Sequence, residues 1–385
     1  MRRFDAIVVG AGPAGSTAAY RLARAGARVV LIDRARFPRD KPCGGGLSQR
    51  AVRLLPVPVD PVVEQVVRAF EFRFRYGRAC ERRSARPLVL MTQRRRLDAF
   101  LAERAAEAGA EFRDRARLAS VDASSTRVRV TVDGRSLEGD VLVGADGVNG
   151  VTARALALAE PRLHTVALEG NLDGATPRGP LDRAVIELGT VAGGYGWLFP
   201  KTGHVNVGVW GWSSEGPRLR QHLAGLCHAH GYDPESLRDV KGYRLPLRPP
   251  GAAASRGRAV LVGDAAGLVD PFSGDGIYEA LLSARLASEA VLDLLAGHAG
   301  DVRSYSERLA ASLGPLAASS WALKRAFERF PRLSFAVTRA PFVWNVAESV
   351  FCGDLSQPGA ARGAVRVPLR LLDALGANAT SGSAA

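Results

Sequence analysis

Between the short apolar run Asp5–Val9 and a stretch of helical composition, Ala14–Ala25, stands Gly10-Ala11-Gly12-Pro13-Ala14-Gly15. The first glycine permits a tight turn, the second lets backbone approach a pyrophosphate, and the third lets the helix pack close to the strand. The helix N-terminus then offers unpaired N–H groups and a positive dipole end to phosphates. Gly26 suits the helix C-cap, and Arg28–Ile32 is a β-branched run that ends in Asp33. Asp33 follows Gly15 by 18 residues, where a carboxylate accepts ribose hydroxyl bonds. The opening reads as a βαβ unit that binds a dinucleotide through Gly10, Gly12, Ala14, Gly15 and Asp33.

Two later strand ends decide which dinucleotide. Val141-Leu142-Val143-Gly144-Ala145-Asp146-Gly147 is an apolar strand closing in Asp-Gly, and Val260-Leu261-Val262-Gly263-Asp264 is another. Open α/β sheets bind ligands at such C-terminal ends. An acid at one strand end is commonly a turn residue. An NAD-only domain needs no second acid, whereas the ribityl hydroxyls of a flavin do. The helix after Gly274-Asp275-Gly276-Ile277 can aim its N-terminus at the flavin pyrimidine and stabilise negative charge there on reduction. Together these point to FAD.

Gly10–Gly15 with Asp33-Arg34, then Gln93-Arg94-Arg95-Arg96-Leu97-Asp98, Asp146-Gly147 and Gly263-Asp264, resemble the flavoprotein monooxygenase superfamily. Within it, three segments are similar to the geranylgeranyl reductase family: Lys41-Pro42-Cys43-Gly44-Gly45-Gly46-Leu47, Gly194-Tyr195-Gly196-Trp197-Leu198-Phe199-Pro200-Lys201 and Asp270-Pro271-Phe272-Ser273-Gly274-Asp275-Gly276-Ile277. The resemblance covers roughly residues 4–297. It implies that Asp33 and Arg34 flank the adenosine ribose, and that Arg94 reaches the FAD phosphates or ribityl chain. It also implies that Asp264 binds the ribityl, that Gly274 to Ile277 meet the isoalloxazine, and that Cys43, Gly44, Gly45, Leu118, Asp146 and Gly147 belong to the cofactor contacts. The sequence departs from the family at Gly150, where many relatives have Ser, and at Asp270, where relatives often have Asn.

The expected fold is α/β: a Rossmann-type FAD-binding domain assembled from residues 1–50, 93–155 and 256–300, with an inserted mixed α+β substrate domain (51–92 and 156–255). A helical C-terminal region, 301–385, ends in a frayed tail rich in Ala, Gly, Ser and Thr. Leu97–Ala108 reads as a helix and Val128–Val132 as an alternating strand, while Ala51–Met91 is irregular in pattern. Helices are expected at Gly276–Leu295, Arg303–Leu313, Trp321–Phe330 and Ser334–Val350, the last interrupted by Pro341.

Net charge is +14, carried almost wholly by arginine, since only Lys41, Lys201, Lys241 and Lys324 are lysines. Arginines are spread along the chain without a nucleic-acid motif, so nucleic acid is not an expected partner. Attraction to an anionic membrane surface is the alternative to plain compositional bias, with Phe330–Phe351 as the candidate interfacial segment. Cys43, Cys80, Cys227 and Cys352 are scattered, with no CxxC, and no run of about 18 apolar residues exists. The expected location is cytoplasmic, with peripheral contact to the membrane inner face.

No second GxGxxG offers a dedicated nicotinamide domain, so the reductant is expected to be transiently docked NAD(P)H, ferredoxin or a reductase. The three glycines after Cys43 would let a planar ring lie against backbone. Tyr195, Trp197 and Phe199 share a strand face, which suits either core packing or an apolar tunnel for a prenyl chain. The resemblance then implies an FAD-dependent reductase of prenyl carbon–carbon double bonds, with Cys43, Tyr195 and Trp197 at the reacting centre. An isolated trisubstituted alkene resists bare hydride, so it must be protonated as it is reduced. A thiol is a feeble acid for that step. Cys43 is therefore expected to position alkene and flavin, the proton coming from a held water or a substrate-side acid. Two alternatives stand beside this reading: a flavin monooxygenase or halogenase, and a basic membrane-associated FAD protein without turnover. Halogenases resembling the family carry Trp-x-Trp-x-Ile-Pro, against Tyr195 and Phe199 in this chain.

Overall fold

Apolar strands with no polar face can be satisfied only at the centre of a sheet covered on both sides. Arg3–Val9, Val29–Ile32 and Ala259–Leu261 are of that kind and are almost wholly buried. In the computed structural model, which describes residues 3–124, 126–158, 163–173 and 182–356, they lie in an eight-stranded sheet. Its parallel centre runs Ala259–Leu261, Arg135–Gly144, Arg3–Val9, Val29–Ile32, Glu111–Arg113. The expected frayed tail lies outside the described residues.

Helix Pro13–Arg24 enters directly from the glycine turn and buries Ala14, Ala18, Ala19 and Leu22. Small alanines let it approach both the sheet and helix Ile277–Leu295 closely. Gly26 stops it at φ +89°, a left-handed position that glycine takes without cost. Helix Arg94–Glu107 packs beside it through Ala102 and Ala105, while its Leu97 and Leu101 join a separate cluster with Leu47, Ile277 and Leu281.

A second sheet of seven strands begins Arg238–Leu247, Leu163–Asp173, His204–Trp212, Tyr195–Pro200 and continues through Ala184–Leu188, Ala69–Phe74 and Ala79–Arg83. One face is closed by helix Leu219–Ala229 over Leu198, Val205, Val207 and Val209. The other face carries Trp197, Trp210, Phe70 and Ile186. The stretch expected to be irregular, 51–91, thus supplies strands, including Gln65–Val67 and Val89–Met91, which form a small third sheet with Gly46–Ser48. Its alternating phenylalanines and arginines belong to strands near a sheet edge, where polar faces hide the apolar period.

Beyond residue 301 the expected break between Leu313 and Trp321 does not occur. One helix runs Arg303–Arg329 with Pro315 inside it. Pro331–Thr338 and Pro341–Cys352 follow as separate helices, each starting at a proline, whose missing N–H costs nothing in a first turn. Phe335 stacks on Phe74 at 5.3 Å and Phe351 on Phe70 at 5.2 Å, while Trp344 meets Phe72 edge-on. The segment expected at a membrane interface therefore buries one face on the second sheet. Among the described residues, no helix is long and apolar enough to cross a membrane.

Candidate cofactor and substrate site

The glycine turn has the geometry its sequence demands. A Cβ on Gly15 would fall 1.8 Å from the Gly10 carbonyl oxygen, and one on Gly10, at φ +102°, would fall 2.2 Å from that of Ala145. Gly12 is open, and a Cβ there would face the guanidinium groups of Arg39 and Arg94 at 3.5 and 3.7 Å. Two cations and a helix N-terminus thus converge where a pyrophosphate would pass. Asp98, fully buried, fixes both: it takes Arg94 bidentately at 2.7 Å and Arg39 at 2.9 Å. Burial disfavours the Arg94 charge, yet Asp98 holds the guanidinium firmly protonated. Asp98 sits four residues after Arg94 on the helix, a spacing that brings them to one face.

Asp33 accepts the N–H groups of Ala11 and Ala35 at 2.8 and 2.9 Å, which ties the end of the second strand to the glycine turn. Arg34 is exposed beside it. Asp264 meets the ammonium of Lys41 at 2.7 Å and the hydroxyl of Tyr243 at 3.1 Å. Burial opposes its charge, but Lys41 and Arg94 keep the carboxyl below its usual range.

The remaining strand-end acids serve their own turns. Asp146 accepts from Val151 N at 2.7 Å and Thr152 N at 3.0 Å, and a Cβ on Gly150 would fall 2.1 Å from its carboxyl carbon. That collision accounts for glycine where relatives carry Ser. Asp275 caps the helix Ile277–Leu295 through Ile277 N at 2.9 Å, so one N–H of that N-terminus is already used. Asp270 accepts from Phe272 N, Ser273 N, Ser273 Oγ and Ser320 Oγ. Four donors and no acceptor suit a carboxylate better than the amide of Asn.

These groups line one cavity of about 1200 Å³, beyond the usual size of a single small-molecule pocket. Gly10, Gly12, Ala14, Asp33, Arg34, Arg94, Asp146, Gly147 and Asp264 line it, as do Cys43, Gly44, Gly45, Tyr195, Trp197 and Gly274 to Ile277. Gly15 acts behind the turn. Leu118 is not brought to the cavity: its side chain is 8% exposed and sits in the core of the nucleotide sheet. It is the buried first residue of the strand Leu118–Ala123, and its packing on that core holds its side chain away from the cavity.

The Cys43–Gly45 loop lines the same cavity. A Cβ on Gly44 would press on the Phe199 ring at 2.7 Å, and Gly45 is left-handed at φ +65° with Thr92 O at 2.0 Å from its would-be Cβ. Lys201 donates to Gly44 O at 2.7 Å and Thr92 O at 2.9 Å, while Glu169 accepts the Cys43 N–H at 2.7 Å. Burial drags the Lys201 ammonium down to about 8, with Cys43, Glu64 and Glu169 resisting. The Cys43 thiol accepts the Gly45 N–H at 3.4 Å.

Tyr195, Trp197 and Phe199 form a contiguous aromatic wall, with neighbouring ring centres 6.3 and 6.1 Å apart. Their polar atoms are engaged: the Tyr195 hydroxyl donates to Ser273 O and Trp197 Nε1 to Asn206 Oδ1. Burial lifts the Tyr195 phenol above its ordinary range. Sequence reasoning missed Asp98, Arg39, Tyr243 and Glu169. For Glu169 the available signal was one charge inside the apolar strand Val166–Leu172.

A glycine turn, paired guanidinium groups and successive strand-end acids around one cavity define an FAD-dependent oxidoreductase. The FAD binding domain family matches residues 3–173. The geranylgeranyl diphosphate reductase of Rhodobacter capsulatus is 33% identical over 307 residues, covering 76% of each chain. The menaquinone reductase of Mycobacterium tuberculosis is 35% identical over 311 residues, covering 74% of this chain and 76% of its own. In fold, a geranylgeranyl bacteriochlorophyll reductase-like protein from Thermoplasma acidophilum superposes with a TM-score of 0.80 at 20% identity, covering 97% of this chain and all of that one. The chain belongs to the geranylgeranyl reductase family of the flavoprotein monooxygenase superfamily.

Proposed function

We propose that this protein reduces carbon–carbon double bonds in a prenyl chain. The observation that carries this reading is the wall beyond the Cys43–Gly45 loop, where the cavity continues between Trp197, Phe199, Phe70, Phe72, Trp344 and Phe351. A flexible apolar chain can fill such a space without leaving a polar group unsatisfied. Two relatives named for reduction, one of geranylgeranyl diphosphate and one of menaquinone, support the same class.

The residues that would hold FAD are Gly12, Arg39 and Arg94 at the pyrophosphate, Asp33 at the ribose and Asp264 at the ribityl chain. Bound FAD supplies a carrier of two electrons that can pass hydride to carbon. The protein's part is to exclude water, fix the alkene against the Cys43–Gly45 loop and provide a proton. Cys43 on this reading positions rather than protonates. The electron donor would be NAD(P)H or ferredoxin acting from outside, since no second dinucleotide turn is present in the sequence.

Delivery of a lipid-like substrate from an anionic membrane fits the outer side of the C-terminal helices. Phe330, Leu333 and Phe342 are exposed there among Arg329, Arg332 and Arg339, while Pro331 and Val343 of the same segment line the cavity.

The test is anaerobic incubation of dithionite-reduced holoenzyme with geranylgeranyl and polyprenyl-quinone substrates, read by mass spectrometry. The expected products gain two hydrogens per reduced bond. Hydroxylated or halogenated products under air, with no gain of hydrogen under nitrogen, would refute the proposal.

A further inference from the structure

Glu169 lies on the strand Leu163–Asp173, paired with Gly208 on one side and Lys241 on the other. Its neighbours Val166 and Leu168 pack into the core beneath helix Leu219–Ala229. Strand alternation therefore turns Ala167 and Glu169 the other way, and both line the cavity. The side chain is 9% exposed, and its Oε1 is fixed by the Cys43 N–H, the residue that heads the glycine loop. A buried acid is otherwise costly, and anchoring the Cys43 N–H does not by itself require one. A glutamine would accept the same hydrogen bond.

We propose that Glu169 is the proton source for the alkene, positioned by the backbone of Cys43 at the wall of the substrate cavity. The inference rests on the prenyl-reduction reading given above. In the step, the carboxyl O–H bond breaks as a C–H bond forms from the alkene π pair. Bound, reduced FAD would supply the hydride and so the second hydrogen, with NAD(P)H or ferredoxin as the outside source of its electrons, and the carboxylate recovers its proton from water.

The electrostatics agree with this placement. Burial pushes the Glu169 carboxyl up to about 7, Asp40 adds to the rise, and the Cys43 N–H, Lys201 and Arg94 pull against it. Lys241, the cross-strand neighbour, spends its ammonium on Asp40 at 2.6 Å. An acid that keeps its proton close to neutral pH is suited to general acid catalysis.

Glu169→Gln separates this role from mere anchoring of the loop, because the amide oxygen still accepts the Cys43 N–H but carries no proton. Single turnover of dithionite-reduced holoenzyme is followed from about pH 5 to about pH 9 with a prenyl substrate. Infrared difference spectra of the oxidised holoenzyme are taken over the same range. Wild-type turnover should fall as pH rises through about 7, in step with loss of a protonated-carboxyl band. Glu169→Gln should lack that band and that limb and be on the order of 100-fold slower, with FAD content and flavin reduction unchanged. Glu169→Asp, a shorter acid, should restore the limb and part of the rate. A Gln variant within about threefold of wild type, or a band unaffected by the substitution, would overturn the proposal. Wild-type protein that shows the band yet reduces no prenyl chain would overturn the substrate reading and remove the alkene as the proton's destination.

Discussion

The ammonium of Lys41 lies 2.7 Å from the carboxylate of Asp264, across 223 positions of sequence. One end of this pair stands two residues before the Cys43–Gly45 loop, and the other just beyond the strand Ala259–Leu261. The pair thus keeps the loop and the strand end at a fixed separation along the cavity. A ribityl hydroxyl reaching Asp264 would meet a carboxylate already oriented by Lys41 and Tyr243.

Removing that acceptor should loosen FAD. Asp264→Ala also leaves the Lys41 ammonium buried without its partner. A hydrogen bond to a charged group is worth about 1.5–3 kcal/mol, which corresponds to a Kd higher by roughly 10-fold to 150-fold. Flavin fluorescence titration of the FAD-depleted variant measures it. An unchanged Kd would remove Asp264 from the cofactor contacts.

Cys43→Ser should keep FAD and retain part of the reductase activity, with altered choice of double bond. Its backbone N–H still reaches Glu169, and a hydroxyl can accept from Gly45 as the thiol does. A Ser variant whose flavin is reduced normally but which forms no product would return the proton-donor role to the thiol.

The Glu169 carboxyl also couples stability to pH. Its ordinary value is 4.5 and its folded value about 7. Between these, the folded protein holds a proton that the unfolded chain has released, so stability falls as pH rises through that window. Glu169→Gln abolishes the dependence. The variant should melt above wild type at about pH 8, and the gap should shrink near pH 5, as thermal denaturation would reveal. A gap of equal size at both pH values would mean that the carboxyl is not shifted.

Phe330, Leu333 and Phe342 with their flanking arginines should take the protein to vesicles of anionic lipid and release it at high salt. Arg332→Glu should weaken the binding, and Leu333→Asp more so. Co-sedimentation indifferent to lipid charge and salt would eliminate the electrostatic component.

The nucleotide half of the fold was legible because its strands are apolar throughout and its turns need glycine at fixed places. Gly10, Gly15 and Gly26 each stand where a side chain would collide or the backbone is left-handed. The strands between 65 and 91 were not, since arginines occupy their outer faces and the alternation is masked. The continuity of Arg303–Arg329 was hidden by Pro315, whose lost hydrogen bond the long helix tolerates. In the site, Gly10–Gly15, Asp33 and the strand-end acids Asp146 and Asp264 could be named from spacing, while Arg94 and the Cys43–Gly45 segment were named through the family resemblance. Glu169, Tyr243 and Arg39 could be named from neither, because what brings them to the cavity is the pairing of strands and loops far apart in sequence.

The loop Cys43–Gly45 is held at both kinds of backbone group: Glu169 takes an N–H, and Lys201 supplies donors to its carbonyls. Ordering a residue of free backbone costs about 1–2 kcal/mol. Here that entropy is lost when the chain folds, not when a ring arrives, so the surface offered to a planar ligand is rigid beforehand. Affinity at this spot then depends on contact alone, free of any tax for loop closure. A substitution that frees either anchor would slow and weaken ligand capture even if every contacting atom were kept.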